Sequence, residues 1–139
     1  MRAWLHVLLL LLGIPALISG SLFVMRPDGS LIEAPLSLLE RTPFADFLWP
    51  GIILGGMFGL GSLLAGLTIK REWRHGFRFA QVIGAGHVVW ILFQLHWFDE
   101  RSFLQPALAS LGLAIFVLAE LCRRRGRASG IARTGGRNA

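Results

Sequence analysis

Residues 48–98 read LWPGIILGGMFGLGSLLAGLTI-KREWRHGFR-FAQVIGAGHVVWILFQLHWF, and this stretch decides the fold of the chain. Its two apolar parts, 48–69 and 79–98, each have about the ~20 residues that a helix needs to cross the hydrocarbon core of a bilayer. Two more apolar runs of similar length occupy 4–24 and 104–122. The sequence therefore predicts an all-α bundle of four transmembrane helices.

The composition agrees with a single membrane domain. The chain has 139 residues, of which 54% are hydrophobic, and a net charge of +6; its mean hydropathy is +0.60. The basic residues are concentrated beside the ends of the predicted spans, where they act as topology signals and favour anionic lipids, so we expect no nucleic-acid partner. The single cysteine, Cys122, excludes an internal disulfide and a CxxC redox centre.

The distribution of positive charge predicts the orientation. With the N-terminus inside, the cytoplasmic side carries eleven Lys and Arg residues and the outer side three. This bias places both termini in the cytoplasm and argues against a dual-topology dimer. The first run has Arg2 and a leucine-rich core like a signal peptide, but Ile18 stands where cleavage prefers a small residue, so we expect a retained helix. We expect a multi-pass protein of the bacterial inner membrane.

Two segments are predicted to lie outside the spans. The outer segment between the first two helices contains the turn signal Pro27-Asp28-Gly29-Ser30 and then apolar residues, which indicates a short helix or hairpin on the outer membrane surface. Residues 123–139 follow the transmembrane domain of residues 1–122 and are expected to form a disordered basic cytoplasmic tail. Anionic lipid headgroups are the expected partners of its first arginines, Arg123, Arg124, Arg125 and Arg127.

The second run carries a stripe of small residues. The stripe consists of Gly51, Gly55, Gly59, Ser62 and Gly66. Small residues let helix backbones approach closely in lipid, so this stripe predicts a helix-packing face. The first or third helix of the same chain is the favoured partner, and a homodimer seam is the alternative.

The third run carries one polar face, formed by Gly84, His87, Trp90 and Gln94. At 100° per residue these positions fall within about 120° of one another, which predicts that they face the interior of the bundle. His87 is the only ionisable residue near the middle of a predicted span. It lies about 12 Å from the basic border and Ser62 about 10 Å, so the two side chains can meet on neighbouring helices.

His87 raises several functional alternatives. A Ser62–His87 pair suggests an intramembrane nucleophile, but the chain has no oxyanion-hole motif. Haem would need a second histidine at the same depth, and His6 reaches it only if the first helix tilts or bends at Pro15. Zinc would need acidic or sulfur ligands beside His87, and the predicted spans place none there. A transporter usually needs a carboxylate in the middle of a span, and none is placed there. We therefore assign no catalytic residue, no metal site and no cofactor.

Three stretches resemble a group of small, uncharacterised four-span bacterial membrane proteins. They are Thr42–Gly51, the pair Trp90 and Gln94, and Leu104-Gln105-Pro106. The resemblance covers residues 20–118 and implies architecture only. Together with the residues above, it favours a small structural or accessory membrane protein that packs with itself or with a larger complex. A small transporter or channel and, less favoured, an intramembrane enzyme or haem protein using His87 remain the alternatives.

Overall fold

Four helices account for most of the protein in this computed structural model, which describes residues 1–97 and 104–135. The helices are α1, Arg2–Met25; α2, Leu48–Lys70; α3, Gly76–Trp97; and α4, Leu104–Gly135. All four are long and apolar enough to cross a membrane, and no strand occurs among the described residues. The predicted all-helical class with four such helices is confirmed. The short connection between the third and fourth predicted spans lies outside the described residues.

The fourth helix is longer than the span predicted from its sequence. The apolar run ends at Cys122, but the backbone remains helical to Gly135, where a disordered tail is expected from residue 123 onward. Glu120 forms ion pairs with Arg123 at 2.6 Å and with Arg124 at 2.5 Å, three and four residues further along. Such pairs support helical continuation through the basic cluster.

The four helices form a ring in which consecutive helices of the chain pack against each other. α1 packs along α2, α3 packs along α4, and the ring closes through contacts of α2 with α3 and of α1 with α4. One end carries Arg2, the loop after α2 and the arginines of α4; we call it the basic end. Arg2 there lies 3.5 Å from Glu72 and 5.4 Å from the centre of the Phe77 ring.

A hydrophobic core fills the half of the bundle nearer the basic end. All four helices contribute to it: Leu5, Leu9 and Leu12 from α1, Ala65 and Ile69 from α2, Ala80 and Ile83 from α3, and Ile115 and Ala119 from α4. Burying these side chains excludes lipid from the centre and joins the four helices over several turns. Two of the cavities described below lie toward the other end of the bundle.

The segment between α1 and α2 folds into two 3₁₀ turns at Ser30–Ile32 and Leu36–Leu39. Before them, the Asp28 carboxylate accepts hydrogen bonds from the Ser30 amide at 3.1 Å and the Ser30 hydroxyl at 2.8 Å. These bonds lower the pKa of Asp28, with the hydroxyl as the larger cause. Gly29 has a φ of 77°, a conformation that glycine adopts without strain.

This segment closes the end of the bundle opposite to the basic end. Leu39 and Phe47 are buried, and the Phe47 ring stacks on Phe23 of α1 with 4.6 Å between ring centres. The Phe47 amide donates a hydrogen bond to the Pro27 carbonyl at 2.9 Å. The segment is therefore held by its apolar side chains and by the backbone at both of its ends.

The second helix contains a stretch of π-helix at Ile53–Leu60 between two α-helical parts. Helix α2 itself begins after Asp46, whose carboxylate accepts a hydrogen bond from the Leu48 amide at 2.9 Å. Pro50 lies in its first turn, where a missing N–H costs little. π-Helical turns are rare and occur often at functional sites.

Candidate functional site

The small-residue stripe of α2 lies against α1. A Cβ placed on Gly59 would approach Leu17 Cα to 2.7 Å, and one on Gly51 would lie 3.0 Å from the Gly20 carbonyl oxygen. Gly55 faces Gly20 directly, so the two backbones touch there. Further along, the Gly66 carbonyl oxygen lies 3.1 Å from Nε2 of a histidine of α1. The stripe thus contacts a helix of its own chain.

Ser62 belongs to the same seam and forms no hydrogen bond with His87. It is fully buried, and a Cβ on Gly13 of α1 would lie 3.1 Å from the Ser62 Cβ. Neither its hydroxyl nor the ring nitrogens of His87 have a hydrogen-bond partner among the described residues. The expected Ser62–His87 contact is therefore not formed. The α2 residue that meets the imidazole is Phe58, one turn earlier.

His87 lies in the centre of the bundle with only 3% of its surface exposed. Its ring meets Phe58 edge-on, with 5.1 Å between ring centres and 74° between the planes. On the opposite helix, a Cβ on Gly112 would lie 3.2 Å from the His87 Cδ2 atom, so glycine provides the space that the imidazole occupies. The Leu108 carbonyl is near the ring but lacks the geometry of a hydrogen bond. Among residues 1–97 and 104–135, His87 is thus a buried polar group without a hydrogen-bond partner.

A cavity of about 260 Å³ adjoins His87, and we call it the His87 cavity. Residues of all four helices line it: Leu11, Leu12, Pro15, Ala16 and Ser19 of α1, Leu54 of α2, His87, Trp90, Ile91 and Gln94 of α3, and Leu108 of α4. Three of the four residues predicted to form a polar face therefore share one cavity. The fourth, Gly84, instead faces α4, where a Cβ would lie 2.7 Å from the Gly112 carbonyl oxygen.

A second cavity, of about 140 Å³, lies toward the segment between α1 and α2. It shares Leu54, Trp90 and Gln94 with the His87 cavity, and four of its other eight lining residues are phenylalanines. Trp90 stacks on Phe93 with 5.6 Å between ring centres and 14° between the planes. The two cavities therefore adjoin at Leu54, Trp90 and Gln94, and the second extends from there toward phenylalanine rings.

The other candidate haem ligand, His6, is bound elsewhere. Its Nδ1 lies 2.8 Å from the Arg2 carbonyl oxygen and its Nε2 3.1 Å from that of Gly66. Both ring nitrogens thus lie beside backbone carbonyl oxygens, to one of which a neutral imidazole can donate, and His6 does not line the His87 cavity. Over residues 1–97 and 104–135, no three His, Cys, Asp or Glu side chains gather in a way that would hold a metal ion.

A basic pocket of about 340 Å³ lies at the basic end between α3 and α4. Arg74, His75, Phe77 and Arg78 line one side, and Arg123 and Gly126 the other. Arg123 is also engaged by Glu120, which accepts a 2.7 Å hydrogen bond from the Gln81 amide. The pocket brings the loop before α3 beside the first arginines of the basic cluster, a contact that the sequence does not predict.

Two residues that contact the His87 ring, Phe58 and Gly112, were missed by sequence reasoning. Phe58 and Gly112 have no chemistry of their own that would mark them, because their role depends on helix packing. Pro15 did give a signal: it has no N–H, so the Leu11 carbonyl lacks its usual helical donor. The structure places Pro15 and Leu11 in the wall of the His87 cavity.

Comparison of the chain with protein-family profiles, with characterised proteins and with solved structures finds no match.

Proposed function

We propose that this chain is a multi-pass protein of the bacterial inner membrane with a non-enzymatic, structural or accessory role. The observation that carries this proposal is the packing of the bundle. Glycines bring α1 against α2 at Gly20 and Gly55, and α3 against α4 at Gly84 and Gly112. The buried polar side chains stand singly between these seams, with Ser62 toward α1 and His87 toward Phe58. Such a bundle suits a scaffold that packs with other membrane helices.

The proposed orientation puts the basic end in the cytoplasm, with both termini. The excess of Lys and Arg on that side supports it. The basic pocket offers the guanidinium groups of Arg74 and Arg78 at the level where lipid phosphates would lie. Anionic headgroups are the partners that this surface fits. The binding surface would extend along α4 to Arg124 and Arg125.

Affinity purification in a mild detergent tests the accessory role. We expect a tagged chain to co-purify with a second membrane protein in a fixed ratio, or with further copies of itself. Recovery of a single unassociated copy would contradict the proposal. Gly55→Leu should reduce this association by disturbing the α1–α2 seam, because a Cβ there already lies 3.3 Å from Gly20 Cα. The matched variant Gly56→Leu adds the same side chain where nothing lies within 4 Å of the new Cβ.

A further inference from the structure

We propose that the His87 cavity binds the neutral, oxygen-bearing ring of a membrane-soluble alkylphenol or alkylquinone. This inference is independent of the accessory role. A buried donor or acceptor without a hydrogen bond destabilises the fold, because the bonds it makes to water in the unfolded chain are not replaced. His87 exposes 3% of its surface, has no partner at either ring nitrogen among the described residues, and borders an open volume of about 260 Å³. A ligand in that volume would supply the missing bond.

The polar groups of the wall define the ligand chemistry. A neutral imidazole offers one donor and one acceptor, and the indole of Trp90 offers a donor. Gln94 adds an amide, and the Leu11 carbonyl is an acceptor because Pro15 cannot bond to it. The described lining contains no Asp, Glu, Lys or Arg, so no charged group there would balance an ionised headgroup. A ring with hydroxyl or carbonyl oxygens fits this set, whereas a phosphate does not.

The size and shape of the site favour a single ring with an apolar chain. The volume is slightly below the ~300–1,000 Å³ that is usual for drug-sized ligands. A flat ring can lie against the Trp90 indole, and the second cavity, whose wall includes Phe93 and Phe47, can take apolar substituents. Leu54 and Phe58 belong to the π-helical stretch of α2, so this irregular backbone forms part of the site.

The site is accessible from the apolar surface of the bundle. Leu11 is 58% exposed and Leu108 39% exposed, on the two helices that close the ring. Nearer the basic end, α1 and α4 are joined through the hydrophobic core, which includes Leu5 and Ile115. A ligand dissolved in the bilayer can therefore enter between α1 and α4 without crossing water.

The test uses the purified full chain in lipid nanodiscs and decyl-benzoquinone as the probe. Quinones quench tryptophan fluorescence, and we expect a saturable component on top of the linear quenching caused by partition into lipid. His87→Leu should weaken the apparent affinity about tenfold or more, because it removes a buried hydrogen bond. His96→Leu, a change of the same kind at an exposed position of α3, should leave it unchanged.

A second pair of variants tests whether the ligand occupies the volume of the His87 cavity, independently of the hydrogen bond to His87. Ser19→Leu fills the cavity from α1 and should abolish saturable binding, whereas Ser21→Leu, on an exposed face, should preserve it. If His87→Leu fails to fold, the comparison of Ser19→Leu with Ser21→Leu tests the proposal instead. The proposal is overturned if the unmodified chain shows no saturable component, which would mean that water alone occupies the site. It is also overturned if Ser19→Leu binds as well as Ser21→Leu, or if decanoate or decyl phosphate binds in preference to the quinone.

Discussion

At the scale of single residues, two adjacent glycines of α2 have opposite roles. Gly55 lies against Gly20, where a Cβ on Gly20 would meet the Gly55 backbone and come within 2.7 Å of the Gly51 carbonyl oxygen. Gly56 has nothing within 4 Å of the position of its missing Cβ. The first glycine is required for a close backbone approach, and the second only lowers the intrinsic stability of the helix.

Alanine substitutions separate these roles. We expect Gly20→Ala to lower the free energy of unfolding by about 1–3 kcal/mol, because α1 and α2 must move apart to accept the methyl group. Gly56→Ala should leave the stability unchanged or raise it by up to about 1 kcal/mol. Reversible unfolding in mixed detergent micelles, followed by circular dichroism, measures both. Equal effects of the two changes would contradict the seam described here.

At the scale of the elements, the start of α2 depends on a side chain outside the helix. The Asp46 carboxylate accepts the Leu48 amide hydrogen at 2.9 Å and so satisfies one of the donors that every helix N-terminus leaves free. Its negative charge also interacts favourably with the helix dipole. The sequence already predicts this, since Thr42-Pro43 followed by Asp46 indicates a capped helix start.

Removing this carboxylate should destabilise the helix start. We expect Asp46→Ala to lower the free energy of unfolding by about 0.5–2 kcal/mol, the usual cost of losing a helix cap. Asp46→Asn keeps an acceptor oxygen and should retain most of that stability. Thermal unfolding of the three proteins in the same detergent provides the comparison, and an Asn variant as unstable as the Ala variant would show that the hydrogen bond does not matter.

The elements also show why the sequence predicts the fold better than the site. Apolar runs of about 20 residues are local signals, so three of the four helices begin and end within three residues of the predicted bounds at every described end. The polar face of α3 is likewise local. The positions of Phe58 and Gly112 beside His87 depend on the rotation of α2 and α4 about their own axes, which no single run encodes. The same limit led to the incorrect pairing of Ser62 with His87.

At the scale of the whole molecule, the up-and-down order of the helices brings most of the basic residues to one end of the bundle. The N-terminus of α1, the loop between α2 and α3 and the last part of α4 all lie at one end, as the contact between Arg2 and Glu72 shows. Charges that are far apart in the sequence therefore act as one surface. The segment between α1 and α2 closes the other end with apolar side chains, and this contrast between the two ends underlies the proposed orientation.

Single-cysteine labelling tests that orientation. Cys122→Ala removes the native thiol, after which Ser37→Cys reports on the segment end and Trp73→Cys on the basic end; both positions are exposed. Neither change alters the number of Lys and Arg residues, so each variant keeps the signal that orients it. A membrane-impermeant maleimide should label Ser37→Cys in intact cells and Trp73→Cys only after permeabilisation. The opposite result would contradict the orientation, and labelling of both from outside would indicate that the chain inserts in two directions, which its eleven-to-three charge bias should prevent.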